Sequence, residues 1–374
     1  MKTIKKLLFL LPYVLIALVP VLFSFGGIFY WIGPIIVFGI VPLLDLIIGK
    51  DPINPPEEEV PALEKQNYFK ILTMVYVPVQ YALIAWGAYI LITDTTLATY
   101  EMAGLMTTVG ILTGAFGITI AHELGHKNTK SEKTLAQALL CSVSYAHFFI
   151  EHNLGHHVNV STPMDPASSK FNQTFYRYYP QTVGGSFRHA WNLEKKRLER
   201  KKFSLFGTKN RMLWYMFWPL VMAASLGSMG FIFTGSFSWL AAGYFFVQSW
   251  VAFSLLEVVN YIEHYGLRRK EIKPGKYEKV NELHSWNANE FLTNAFVFHL
   301  QRHSDHHANE TRRYQSLRHF EQSPQLPTGY AGMILVALVP PLWFKIMNPR
   351  VMAFYGGRPP YFADKDAKPY LKAA

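Results

Sequence analysis

Six long apolar runs restrict what this chain can fold into more than any other feature. They cover residues 7–25, 28–48, 69–93, 102–121, 212–233 and 239–262, and each approaches or exceeds the roughly 20 residues that carry a helix across a bilayer core. The first two are parted only by Gly26 and Gly27 and read as a hairpin; the last two are joined by the short turn TGSFS. Only 16% of the 374 residues are charged, whereas soluble domains carry about a quarter. The expected fold is an all-α integral membrane protein: six transmembrane helices under a cytoplasmic helical cap, folded as one membrane-bound domain over 1–374.

Charge placement sets the orientation. The connections near Gly26, at 94–100 and at 234–238 hold no Lys or Arg, and the basic residues fall in the N-terminal tail, the 49–68 loop, 127–211 and the C-terminal region. That is a positive-inside pattern. It predicts a multi-pass membrane protein with both termini and the regions 122–211 and 263–374 in the cytoplasm. The net charge of +11 is thereby assigned to the membrane rather than to nucleic acid. The first apolar run is too long for a signal peptide, has no A-x-A-like site after it, and reads as a retained helix. Two weaker apolar stretches, 134–150 and 330–347, read as buried or interfacial; the second is interrupted by Pro340 and Pro341.

Cys141 is the only cysteine, whereas histidine occurs 14 times. No CxxC pair exists to hold zinc, a rubredoxin iron or an iron–sulfur cluster, so a metal here must be held by imidazole, with or without carboxylate. Four histidine clusters lie at or beyond span ends on the basic side. They are HELGH (His122, His126), HNLGHH (His152, His156, His157), the lone His264, and HSDHH (His303, His306, His307). Residues four apart share a helix face, so the pairs His122/His126, His152/His156 and His303/His307 can each converge on one ion. His157 and His306 point about 100° away from their neighbours and can serve a second ion. Nine imidazoles are too many for one metal, and two metals with four or five ligands each is the economical reading. Glu123, Glu151, Glu263 and Asp305 adjoin these histidines in sequence and are candidates to accept their second N–H. His147, His189, His284, His299 and His319 stand alone and read as structural, with His284 the first to be checked.

Ligand type alone does not choose among iron, zinc, copper and nickel. HELGH also satisfies HExxH, a zinc-protease signature with Glu123 as base, but that reading leaves six histidines without purpose. A metal transporter would place its ligands near the bilayer midplane on broken helices, not at span ends.

HELGH, EHNLGHH and QRHSDHH together resemble the three histidine boxes of the membrane fatty-acid desaturase and hydroxylase superfamily. NYIEHYGL is similar to the HYG motif of the bacterial alkane 1-monooxygenases, and GHKN, FFIEHNLGHH, TPMDPA, NPPEE and FHLQRHSDHHA also resemble that family, from about residue 42 to 330. The resemblance implies a six-helix scaffold and two non-haem irons on His122, His126, His152, His156, His157, His264, His303, His306 and His307. It also implies O2 as co-substrate, and hydroxylation of a linear alkane, taken from membrane lipid, to a primary alcohol. Electrons would come from rubredoxin and its NAD(P)H-dependent reductase. One cysteine cannot build a fused rubredoxin within these residues. A desaturase or fatty-acid ω-hydroxylase of the same superfamily is the nearest alternative. For the substrate tunnel the candidates are Val37, Phe38, Gly110, Gly114 and Gly117, the glycines having helix packing as their plainer reading. Arg268, Arg269, Arg312 and Arg313 are candidates for docking an acidic donor or for contact with anionic lipid.

Overall fold

The computed structural model describes residues 3–357 apart from Pro52, so the end of the expected cytoplasmic region 263–374 lies outside the described residues. Among the described residues five helices are long and apolar enough to cross a membrane: Gly27–Ile48, Asn67–Thr93, Thr99–Gly125, Arg211–Thr234 and Trp239–His264. The run expected to form the first span is divided. It folds as Thr3–Leu8 followed by Leu11–Phe23, a helix of 13 residues with a proline at its start. Pro12 has no N–H to continue the preceding helix, and 13 residues rise only about 20 Å, short of the ~30 Å hydrocarbon core. The hairpin at Gly26 and Gly27 forms with both residues at positive φ, 68° and 59°, where a Cβ would be strained. The 330–347 stretch becomes Tyr330–Ala337 and Pro340–Phe354, bent by 120°.

Packing along the spans is set by small residues. A Cβ on Gly110 would lie 2.6 Å from that of Val251, and one on Gly114 only 2.8 Å from the Ala252 carbonyl. Thr99–Gly125 and Trp239–His264 therefore touch backbone to side chain, as small residues allow between apolar helices. Buried polar groups add to this: Thr113 Oγ1 donates to Gln248 Oε1 (3.0 Å) between the same two spans, and Gln80 Nε2 of Asn67–Thr93 donates to Ser142 Oγ (2.7 Å) at the end of Lys130–Cys141.

Three segments wind as π-helix, at Ile35–Ile40, Thr113–Ile118 and His152–His156. Such one-turn bulges recur at functional sites because they re-aim side chains that an α-helix would place elsewhere. The only strands among the described residues are the two of the short ribbon Glu271–Lys273 and Lys276–Tyr277.

The cap is clamped to the membrane domain through the fourth histidine cluster. Arg302, which is 1% exposed, donates to Asp51 Oδ2 (3.1 Å), the Asp51 carbonyl (2.8 Å), Asn289 Oδ1 (3.1 Å) and the Leu317 carbonyl (2.7 Å). Lys5 pairs with the same Asp51 carboxylate. A buried guanidinium needs this many acceptors because it cannot shed its charge. The clamp fixes the residue before His303, which is itself buried.

Candidate metal centre and substrate cavity

Nine histidines from four separate chain segments meet in one buried region and divide into two groups. The first holds His122, His126, His152, His157 and His306; the second holds His156, His264, His303 and His307. Within each group the candidate ligand atoms all lie within 4.8 Å of one another. His122 and His126 share one helix face, as do His303 and His307, while His306 turns to the other group.

HNLGHH departs from the helical expectation. His152 and His156 do not converge; His152 joins His157 in the first group and His156 belongs to the second. The cause is the π segment, in which the His157 N–H bonds the His152 carbonyl five residues back. In that winding i and i+5 stack, so the α-helical i, i+4 rule misassigns the pair.

The ring nitrogens behave as a ligand set. His152 Nε2 lies 3.0 Å from His157 Nε2, His157 Nε2 lies 3.1 Å from His306 Nε2, and His303 Nε2 lies 3.0 Å from His307 Nε2. The Nε2 atoms of His122, His126 and His156 and both ring nitrogens of His264 are buried without a hydrogen-bond partner. Native interiors rarely leave polar atoms so, and a cation at the centre of each group would satisfy them together. Burial first, and neighbouring imidazoles second, hold His152, His157, His303, His306 and His307 well below the usual histidine range. They are therefore neutral, with a lone pair free for a metal. For His156 burial works the same way, but Asp165 outweighs it and raises the ring.

Asp165 is a site residue that sequence adjacency missed. Its Oδ2 is 3.0 Å from His156 Nδ1, and its side chain is fully buried. Its loop is fixed by bonds from the Ala167 amide (3.1 Å) and Ser168 Oγ (2.5 Å). An Asp before Pro in TPMDPA was the available signal, since short acidic residues there order loops. Glu310, also unanticipated, sits 3.4 Å from His157 Nδ1 but is half exposed.

The carboxylates adjacent in sequence have other partners. Glu123 pairs with Lys127 (3.1 Å), whose ammonium also reaches the Thr311 and Arg312 carbonyls. Glu151 meets His189 (3.3 Å), and Asp305 binds Arg312 (3.1 Å) and the Arg318 amide (2.8 Å). His284 bonds Glu278 (3.2 Å) and the Asn281 amide (3.1 Å). Of the five candidates only Glu263 sets its own side chain against a clustered histidine, with Oε2 3.2 Å from His303 Nε2, while His284 meets His264 through its backbone.

A narrow cavity runs from the histidines between the spans, and its wall is almost wholly apolar. His122, His152, His303 and Glu263 form one end; Val37, Gly114, Phe116, Leu255, Phe296 and Ile334 are among the rest. Of the five tunnel candidates, Val37 and Gly114 line it. Phe38, Gly110 and Gly117 do not: Phe38 packs on a neighbouring apolar cluster, Gly110 abuts Val251, and a Cβ on Gly117 would lie 1.7 Å from Gln80 Oε1.

The four docking arginines are committed inside the chain. Arg268 and Arg269 are buried, with Arg269 bonded to the Glu278 and Val158 carbonyls and Arg268 to that of Thr162. Arg312 pairs with Asp305 and Glu57, and Arg313 with Glu132 (2.9 Å). Guanidiniums held this way tie segments together rather than offering a free cationic surface.

The family model for fatty acid desaturases matches residues 98–337, which include all nine clustered histidines. The chain is 47% identical to alkane 1-monooxygenase 2 of Pseudomonas aeruginosa, over 87% of this chain and 85% of that one. The chain belongs to the alkane 1-monooxygenase family. It is also 42% identical to alkane 1-monooxygenase 2 of Alcanivorax borkumensis, over 87% and 84% of the two chains. Identity falls to 26% with the xylene/toluene monooxygenase hydroxylase component of Pseudomonas putida, over 87% and 83%. A monooxygenase family, a multi-pass membrane scaffold and histidine clusters able to hold metal thus coincide in one chain.

Proposed function

We propose that the protein hydroxylates the terminal carbon of linear alkanes, using two non-haem irons held by the nine histidines and electrons from rubredoxin. The observation that carries this reading is that two imidazole groups open on one apolar cavity. The reaction RH + O2 + 2e⁻ + 2H⁺ → ROH + H2O needs a redox-active metal. Iron bound here would supply the O2 activation that attack on an unactivated C–H bond requires and that zinc lacks.

The protein's own part is positioning. An alkane gains about 0.8 kcal/mol per methylene on leaving water, but almost nothing on moving from lipid to a cavity wall, because both are apolar. Affinity for one chain over another must therefore come from shape. The wall admits a chain, orients its end toward His122, His152 and His303, and excludes water from the reacting carbon. Polar groups near that end are few, so orientation rests on fit. The basic loops argue for an inner-membrane protein with its termini and metal groups facing the cytoplasm, where rubredoxin and an NAD(P)H-dependent reductase would reach it.

Elemental analysis joined to product identification tests the reading. With rubredoxin, reductase and NADH supplied, alkanes from octane to hexadecane should include substrates that yield primary alcohols. Zinc in place of iron, an alkene product, or no alcohol from any chain would overturn it.

A further inference from the structure

Carboxylates meet the clustered histidines from two different sides. Asp165 and Glu310 approach Nδ1, of His156 at 3.0 Å and of His157 at 3.4 Å. That is the rear of rings whose Nε2 atoms converge, and it is where an outer hydrogen-bond acceptor belongs. Glu263 approaches the front. Its Oε2 is 3.2 Å from His303 Nε2, the nitrogen that lies 3.0 Å from His307 Nε2. With metal–ligand bonds of about 2.0–2.2 Å, neighbouring donor atoms on one ion stand roughly 3.0–3.5 Å apart. Both spacings fall in that range.

Resting on the di-iron reading above, we infer that Glu263 is the carboxylate ligand of the four-histidine group and not a hydrogen-bonding residue behind it. Three further observations agree. Glu263 is 1% exposed, and its buried Oε1 lacks a well-formed hydrogen bond, with the Tyr330 hydroxyl as its neighbouring polar group. Its backbone carbonyl accepts from the Trp286 backbone N–H (2.8 Å) and Ser285 Oγ (3.2 Å), which holds the residue in place at the cavity end. The charge also matters: with four imidazoles, Asp165 behind His156 balances only part of a divalent ion's charge beside an apolar cavity, where an unbalanced charge is expensive. A carboxylate ligand offsets more of it and brings the smaller group to five donors, equal to the larger.

The test is Mössbauer spectroscopy of the full-length protein loaded with ⁵⁷Fe and reduced, with iron content measured in parallel. Asp165→Asn serves as the reference for loss of an outer partner. Glu263→Gln should either lose one iron more completely than Asp165→Asn does, or alter the signal of one iron far more than that variant does, the other iron remaining as in the wild type. An iron loss no greater than that of Asp165→Asn, without that change in signal, would count against the assignment. Two irons with a spectrum no more changed than in Asp165→Asn would overturn the assignment. Should Glu263→Gln fail to fold, Glu263→Asp keeps the charge, withdraws the oxygen by one methylene, and is read in the same way. A wild-type protein without two irons would instead defeat the di-iron reading itself.

Discussion

The two histidine groups lie side by side but differ in their access to water. In the five-histidine group, His126 borders a polar pocket shared with Asn128, Lys133 and Glu310, and Glu310, behind His157, is 52% exposed. The four-histidine group is closed: His264 is 0% exposed, and the carboxylate behind His156 is fully buried. Both groups reach the apolar cavity, through His122 and His152 on one side and His303 on the other. One metal position thus has a histidine and an exposed carboxylate on a polar pocket, whereas the other meets such a pocket only through the buried Asp165. The same kind of substitution should therefore have unequal consequences in the two.

The largest effects come from the ligands themselves. His264→Ala and His126→Ala should each bring turnover below detection and lower bound iron from about two per chain to about one; full iron in either variant would remove that residue from the ligand set. Next comes the clamp beneath the closed group. Arg302→Ala leaves Asp51 buried without its main partner, which should destabilise the fold by about 3–5 kcal/mol, read as a lowered unfolding midpoint in detergent. Lys5 also contacts Asp51, which places the expectation toward the lower end.

The unequal outer carboxylates sharpen the contrast between groups most directly. Asp165→Asn should weaken iron retention or activity about 10- to 100-fold. Glu310→Gln removes an exposed partner worth no more than about 1 kcal/mol and should alter either by less than ~5-fold. Equal losses would mean that burial does not distinguish the two groups. Smaller still for stability is Gly114→Ala, whose added methyl meets the Ala252 backbone at 2.8–2.9 Å. Overpacking of about 1–3 kcal/mol is expected, with activity shifted toward shorter or thinner alkanes because the same residue lines the cavity.

Much of this was legible before any coordinates, and the remainder failed for identifiable reasons. Apolar run length located the spans wherever a helix is continuous, but Pro12 split the first run. The i, i+4 rule paired His122 with His126 and His303 with His307, since those segments are α-helical. It mispaired His152 with His156 because a π turn leaves no mark in residue spacing. Sequence adjacency suggested Glu123, Glu151 and Asp305, yet a side chain next to a ligand on a helix points some 100° away from it. Asp165, nine residues from His156, came within reach only through a loop. Arginines near the histidine boxes looked like surface charge, and folding turned them inward as clamps.

A cryo-EM map of the iron-loaded protein tests the central claim most directly. The account predicts two separate ions, one enclosed by His122, His126, His152, His157 and His306, the other by His156, His264, His303 and His307. A single ion, or one ion drawing both His152 and His156, would contradict it.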